Sequence, residues 1–144
     1  MSTAFKERLA AAYAAWGESK GRTPQLFFEL MDKDIEIRSV LKGELSANPL
    51  GKGYIGKGQV LDYFAAIAES WDLLALETEA VVADGDKAIW CGCVQWRNRK
   101  TMRVLDTPKA DIWTVRDGKA IGFIEIYDSY GFAKAIGLVD PAQD

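Results

Sequence analysis

The chain has 144 residues, of which 49% are hydrophobic and 27% charged, and its formal net charge is −3. This composition is typical of a soluble globular protein, and a chain of this length buries a core without disulfides or metal ions. A negative net charge without a polybasic segment argues against nucleic acid or an anionic membrane as a partner. We therefore expect residues 1–144 to form one domain.

Histidine is absent from the sequence, and its absence excludes several kinds of site. No Ser-His-Asp triad can form, and the commonest ligand of transition metals is missing. The two cysteines, Cys91 and Cys93, are too few for a structural zinc site and are poorly spaced on a strand for a disulfide. We therefore predict no cofactor and no metal site, although carboxylates alone could bind a hard cation.

Two features of the sequence favour a cytoplasmic protein without membrane association. The segment MSTAFKERLAAAYAAW lacks the apolar core of a secretion signal, and no apolar stretch approaches the ~20 residues of a membrane span. Reduced cysteines are expected, and they suit the same compartment.

Three helices and one strand are predicted in the first half of the chain. The first helix runs from about Ser2 to Trp16, the second is short and follows Thr23-Pro24, and the third runs from about residue 57 to 71. Between the last two, the alternating segment DIEIRSVL (34–41) predicts a strand. The glycine-rich residues 42–58 predict a long loop, of a length that often forms a lid or a pocket rim.

Strands dominate the second half, followed by a short terminal helix in DSYGFAKAIGLVD (128–140). The strands are predicted at about 73–83, 87–98, 102–116 and 119–128, since turn residues separate these runs. This order predicts an α+β domain with helices packed on one face of a curved antiparallel sheet.

The turn VRDGK (115–119) determines which side chains of the last hairpin are opposite each other. A two-residue loop would pair Arg116 with Lys119, whereas a three-residue loop with left-handed Gly118 would pair Val115 with Lys119. We favour the three-residue loop, because glycine adopts positive φ at little cost.

With this register Asp111 faces Phe123, Trp113 faces Ile121, and Lys109 faces Glu125. One face of the hairpin then carries these charged and aromatic side chains together with Tyr127, while the other face is small and apolar. On the preceding strand Cys91, Cys93 and Gln95 share one face, and Trp90, Val94 and Trp96 the other. We expect helices to cover one side of the sheet and a second copy of the chain to cover the outer side, giving a homodimer.

The element order resembles the nuclear-transport-factor-two-like superfamily, which includes ketosteroid isomerase and the SnoaL-like cyclases. The segment TPKADIWTVRDGKAIGFIEIYDS (107–129) resembles the final hairpin of SnoaL-like, isomerase-related proteins. The resemblance covers about residues 9–130. It implies a cone-shaped, curved antiparallel sheet with the three helices of the N-terminal half packed on its concave face, as in cystatin-like folds.

The resemblance to ketosteroid isomerase implies roles for individual residues. Tyr13 in AAYAAW and Asp111 in ADIW occupy the positions of the tyrosine and the neutral aspartic acid that hold the oxyanion in that enzyme. Tyr63 in VLDYFAAI matches an aromatic residue of the pocket. At the position of the isomerase's general base stands Ser39, whose hydroxyl alone cannot remove a proton from carbon.

Glu125 adds a second carboxyl group to the predicted pocket. Its position resembles that of a catalytic aspartate in the limonene epoxide hydrolases, whose other catalytic residues are replaced here by Cys93 and Gln95. Two carboxyls in an apolar cone imply a raised pKa for at least one. We predict Glu125 as the base and Tyr13 with a protonated Asp111 as the electrophilic pair. The predicted substrate-binding residues are Tyr63, Cys93, Gln95, Lys109, Trp113, Phe123 and Tyr127.

Two classes of function remain open. The first is a cofactor-independent isomerase, cyclase or dehydratase that transfers a proton next to the carbonyl of a small hydrophobic substrate. The second is a non-catalytic ligand-binding or dimerisation module, which Ser39 and Gln95 at positions of catalytic groups favour. In that case Lys109 serves as a structural ion pair with Glu125. Trp90 and Trp96 are predicted to pack in the core or an interface rather than against a ligand.

Overall fold

The computed structural model describes residues 3–140, so the predicted cap residue Ser2 lies outside the described residues. These residues form four α-helices and six strands. In chain order they are α1 (Thr3–Glu18), α2 (Gln25–Leu30), β1 (Met31–Ser39), β2 (Tyr54–Ile55), α3 (Lys57–Ser70), β3 (Trp71–Asp84), β4 (Lys87–Asn98), β5 (Val104–Arg116), β6 (Lys119–Tyr127) and α4 (Ser129–Ala135). A 3-10 helix, Gly43–Ala47, lies between β1 and β2.

The six strands form one open, curved sheet in the order β2-β1-β6-β5-β4-β3. Neighbouring strands are antiparallel except β1 and β6, which are parallel. Register shifts in β3 and near the start of β6 bend the strands, because a bulge increases local twist. The predicted α+β fold with a curved sheet is confirmed, and the parallel β1–β6 pair is the difference.

The helices cover the concave face because their apolar stripes face the sheet. The stripe of α1 consists of residues at helical spacing that are all buried, and α3 presents a shorter stripe of the same kind. Together with the inner face of the sheet they form the core, whose fully buried members include Phe5, Leu9, Leu30, Ile35, Val60 and Trp90. None of the helices in residues 3–140 is both long and apolar enough to cross a membrane.

The turn between β5 and β6 differs from the prediction. Arg116 pairs with Lys119, so the loop has two residues, Asp117 and Gly118, rather than three. Both have positive φ, 53° and 75°, as a type I′ turn requires. This turn matches the right-handed twist of the strands, and aspartate is one of the few non-glycine residues that adopts positive φ readily.

The predicted cross-strand pairs of this hairpin are wrong by two residues. Asp111 pairs with Glu125, Trp113 with Phe123, and Lys109 with Tyr127. One residue of the difference comes from the shorter loop. The other comes from a register shift next to the turn, where Thr114 pairs with Gly122 but Val115 with Ala120, which leaves Ile121 as an extra residue. A shift of two residues does not exchange the faces of a strand, so the grouping of the charged and aromatic residues on one face is retained.

The register of β4 determines which of its faces is turned inward. Trp90 pairs with Asp111, and paired residues of a sheet project to the same side, so Trp90, Val94 and Trp96 lie on the concave face. Cys93 and Gln95 lie on the outer face. Cys93 is exposed, and the Gln95 amide donates a hydrogen bond to Asp106 at 3.2 Å.

The segment 42–58 and α4 lie at one end of the cone. Within the predicted loop, β2 pairs with β1 at the edge of the sheet, and the Tyr54 hydroxyl donates to the Pro49 carbonyl. Phe132 of α4 is buried against Trp71 and Leu105. A helix and a loop rim therefore cover the side of the cone opposite the β5–β6 turn.

Candidate functional site

A cavity of about 100 Å³ lies between the concave face of the sheet and helices α1, α2 and α3. A water molecule needs only ~10–15 Å³ of such space, so the cavity can hold several waters or one small organic ring. Its wall is mainly aromatic and aliphatic, and Leu50 shows that the predicted loop does contribute to it. The polar side chains of the wall are those of Tyr13, Tyr63, Thr107, Lys109, Asp111, Glu125 and Tyr127.

Tyr13 joins α1 to the sheet through three contacts. Its hydroxyl donates to Oδ2 of Asp111 at 2.5 Å and accepts from Nε1 of Trp113 at 3.1 Å. Its ring stacks on Trp90, with 4.5 Å between centroids and 7° between planes. All of these groups are buried, so the position of the Tyr13 hydroxyl is fixed by both packing and hydrogen bonds.

Lys109 connects the two carboxyl groups. Its Nζ lies 2.9 Å from Oδ1 and 3.1 Å from Oδ2 of Asp111, and 3.1 Å from Oε2 of Glu125. The side chains of Asp111 and Glu125 are 2% and 7% exposed, and that of Lys109 is 16% exposed. A buried carboxylate is tolerated when it is paired, and here one ammonium serves two carboxyls.

Two further hydroxyls complete the polar side of the cavity. Tyr63 of α3 donates to Oε1 of Glu125 at 3.0 Å, so both oxygens of this carboxyl have partners. The hydroxyl of Tyr127 lies 3.4 Å from that of Ser39, a long contact in which either group is the donor. Ser39 pairs with Glu125 across β1 and β6, which places it beside the site without making it part of the cavity wall.

Burial and charge shift the pKa values of this cluster in definite directions. Burial raises the pKa of Glu125 and the charge of Asp111 raises it further, while Lys109 opposes both; the net result is a raised pKa. Burial alone would lower the pKa of Lys109, but the two carboxylates more than offset this and raise it. Burial, with the nearby carboxylates, raises the pKa of Tyr13, Tyr63 and Tyr127.

The structure brings most of the predicted site residues together. Besides the three predicted catalytic residues, Tyr13, Asp111 and Glu125, the cavity wall contains Tyr63, Lys109, Trp113, Phe123 and Tyr127. Whether any of them is catalytic stays a prediction. The raised pKa of Glu125 agrees with the expectation that one of the two carboxyls has a raised value.

The prediction that Cys93 and Gln95 bind substrate in the cavity is wrong, because both lie on the outer face of β4 and away from the cavity. Trp90 and Trp96 pack in the core as predicted, and both also line the cavity. The alternation of Trp90, Val94 and Trp96 was the available signal, because this face of the strand is the more apolar one.

The hydrogen-bond pattern of Asp111 differs from that expected for an electrophilic acid. Asp111 accepts from the Tyr13 hydroxyl and from the Lys109 ammonium, and donates to neither. The Tyr13 proton is therefore engaged with Asp111 rather than directed at a ligand. Within residues 3–140, no group of three or more aspartate, glutamate or cysteine side chains is placed to hold a metal ion.

Comparison with known proteins identifies this architecture at the level of a family. Residues 9–123, well over half of the chain, match the model of the SnoaL-like domain. A search of curated protein sequences found no significant match.

Solved structures share the fold at low sequence identity. An NTF2-like protein of unknown function from Burkholderia pseudomallei has a TM-score of 0.79 at 14% identity, over 95% of this chain and 99% of the other. A candidate isomerase from Rhodopseudomonas palustris has 0.71 at 18%, over 94% and 98%. A candidate SnoaL-like polyketide cyclase from Mesorhizobium loti has 0.67 at 14%, over 87% and 98%. At these identities the likeness shows the fold alone.

Proposed function

Because the chain belongs to the SnoaL-like domain family, we propose that it binds a small, mainly apolar carbonyl compound in its cavity and transfers a proton next to the carbonyl. The reaction class is isomerisation, cyclisation or dehydration without a cofactor. The names given to structural relatives, a candidate isomerase and a candidate polyketide cyclase, support this class.

The single observation that carries the proposal is the environment of Glu125. This carboxyl is buried in the wall of an apolar cavity, and burial raises its pKa toward the range in which a general base works near neutral pH. Tyr63 and Lys109 fix both of its oxygens, so the base is held in one orientation. Glu125 would thus act as the base, a role that the hydroxyl of Ser39 cannot perform.

A second candidate function is supported by one specific contact. Lys109 lies within 3.1 Å of both carboxyls, so the cluster satisfies itself without a ligand. A protein that only binds an apolar molecule needs no more than such a neutralised cavity wall. The alternative is therefore a non-catalytic ligand-binding module with the same cavity.

Deuterium exchange separates the two candidates. Small cyclic ketones and enones are incubated with the protein in D₂O, and loss of the signal of the protons next to the carbonyl is followed by NMR. We expect exchange by the unchanged protein and a loss of about 10²–10⁴-fold in the Glu125→Gln variant. Glu36→Gln is the matched control, because Glu36 is exposed on β1 and its carboxyl lies 3.7 Å from the side chain of the exposed Arg38.

The two outcomes differ in binding as well as in rate. If a ketone raises the melting temperature but neither protein accelerates exchange, the cavity is a binding site without proton transfer. If Glu125→Gln exchanges as fast as the unchanged protein, Glu125 is not the base.

A further inference from the structure

We propose that Lys109 is the electrophilic group of this site. Its ammonium binds the carbonyl oxygen of the ligand and stabilises the enolate that forms when Glu125 removes a proton from the adjacent carbon. This inference rests on the proposed function and assigns to Lys109 the role that the sequence had suggested for Tyr13 with Asp111.

The contacts of Lys109 leave it a donor for a ligand. A lysine ammonium has three N–H groups, and within residues 3–140 its polar contacts are the carboxyls of Asp111 and Glu125. Nζ lies within 3.1 Å of three carboxyl oxygens, but its hydrogen bond to Asp111 is with Oδ2, and Oδ1 has no hydrogen-bond partner among the described residues. One N–H for each carboxyl leaves a third N–H for a ligand. Tyr13, by contrast, already donates its only hydroxyl proton to Asp111.

Lys109 also lies at the right level of the cone. Across the sheet, Trp90, Asp111 and Glu125 form one row, and Gly92, Lys109 and Tyr127 form the next row toward α4. Lys109 therefore lies one row nearer to α4 than the two carboxyls. On β4, the residue that pairs with Lys109 is Gly92, which has no side chain. A Cβ added at Gly92 would lie 2.1 Å from the Glu77 carbonyl oxygen of β3.

The charge balance of the proton-transfer step favours this arrangement. The C–H bond next to the carbonyl breaks, its proton forms an O–H bond on Glu125, and its electron pair becomes the enolate. The negative charge thus leaves Oε2 of Glu125, which lies 3.1 Å from the Lys109 Nζ. The charge appears on the enolate oxygen, which accepts a hydrogen bond from the Lys109 ammonium. The total charge beside Lys109 does not change, and a group that is already oriented toward it needs little reorganisation.

The same balance defines the class of ligand. The cluster contains one ammonium and two carboxyls, so its formal charge is already −1 when both carboxyls are ionised. A ligand with its own permanent carboxylate would add a further negative charge in an apolar cavity, which is unfavourable. We therefore expect neutral ketones, enones and phenols of about one ring, and not carboxylic acids.

A phenol tests the role of Lys109 without any reaction. 4-Nitrophenol is a monocyclic analogue of an enol, and its absorbance distinguishes the phenolate from the neutral phenol. It is added at a pH just below that at which it ionises in water. We expect the unchanged protein to bind it as the phenolate, with the phenol proton transferred to Glu125 so that the cavity gains no net charge. The Lys109→Met variant should lower the bound phenolate-to-phenol ratio by at least about 10-fold, because a charge-assisted hydrogen bond is lost. Lys109→Arg retains the cation and should restore the phenolate.

Two further variants keep the test interpretable. Lys100→Met removes an exposed lysine in the β4–β5 turn and should leave the bound ratio unchanged. If circular dichroism shows that Lys109→Met does not fold, Lys109→Met/Asp111→Asn removes one charge of each sign and takes its place. A wild-type phenolate ratio in Lys109→Met or in Lys109→Met/Asp111→Asn overturns the inference, as does binding of the neutral phenol alone by the unchanged protein.

The inference and the proposed function fail in different ways. If Glu125→Gln abolishes ketone exchange while Lys109→Met retains it, the proposed function stands and Lys109 is not the electrophile. If the phenolate depends on Lys109 but the unchanged protein exchanges no ketone, Lys109 is an anion-binding group in a cavity without proton-transfer activity, and the electrophilic role falls with the reaction.

Discussion

The hydroxyl of Tyr13 is the group whose removal should cost the most stability for the smallest change in volume. Tyr13→Phe removes a 2.5 Å hydrogen bond to Asp111 and the acceptor of the Trp113 indole N–H at 3.1 Å, while the ring can still stack on Trp90. The variant loses the hydrogen bond to the Asp111 carboxylate, and a hydrogen bond to a charged group contributes ~1.5–3 kcal/mol. It also leaves the buried Trp113 N–H without the Tyr13 acceptor, and a buried donor without a partner costs ~1–3 kcal/mol. Since the phenylalanine has no hydroxyl to desolvate, we expect the free energy of unfolding to fall by about 3 kcal/mol.

Urea denaturation measures this change, and Tyr127→Phe is the matched comparison. Tyr127 lines the same cavity, but within residues 3–140 the hydrogen-bond contact of its hydroxyl is the long one to Ser39, at 3.4 Å. We expect this second variant to lose less than about 1 kcal/mol. If the two variants lose equal amounts, or if Tyr13→Phe loses less than about 0.5 kcal/mol, the Tyr13–Asp111–Trp113 network does not stabilise the fold as described.

Three other predictions concern the sheet and its charges. Gly92→Ala should lower the free energy of unfolding by at least ~3 kcal/mol in urea denaturation, because its Cβ would lie 2.1 Å from a backbone oxygen and 2.6 Å from the Trp90 ring; a loss below about 1 kcal/mol would contradict that close approach. Because the pKa of Glu125 is raised, the folded protein binds the Glu125 proton more tightly than the unfolded chain does. The free energy of unfolding should therefore fall as pH rises from ~4.3 through the folded pKa, and Glu125→Gln should remove that fall. The same pH dependence in both proteins would refute the raised pKa. The proposed homodimer through the outer face of the sheet should appear as twice the chain mass in light scattering, and Ile126→Glu, at a position 39% exposed, should shift it to monomer; a monomeric unchanged protein would exclude the dimer.

The sequence predicted the elements of the fold well, because strong local signals mark them. The bounds of α1, α3 and the five long strands lie within three residues of those predicted. Their apolar periodicity and turn residues are properties of short segments, and these can be read without knowledge of the rest of the chain.

Register was the harder part, and the last hairpin shows why. Asp117-Gly118 is a strong signal for a two-residue loop, and the structure has that loop. Without a bulge, however, such a loop would have placed Asp111 and Glu125 on opposite faces. The extra residue, Ile121, lies in an apolar run in which any position could be the unpaired one, so no local signal marks it.

The composition of the site was only partly predictable for a similar reason. A lysine and two carboxyls in one hairpin can be recognised from sequence, but the three-way contact at Lys109 depends on the diagonal neighbours of the sheet. The inward face of β4 is set by its register with β5, which is why Cys93 and Gln95 were assigned to the wrong side.

The proposed reaction requires that Glu125 is a buried base whose pKa is raised in an apolar cavity. The most direct measurement is a ¹³C NMR titration of the glutamate carboxyl carbons, with the Glu125 signal assigned by its absence in Glu125→Gln. We expect a midpoint clearly above the ~4.3 of an unperturbed glutamate. A midpoint at or below that value would show that Glu125 is an ordinary paired carboxylate, and the proposed proton transfer would have no base.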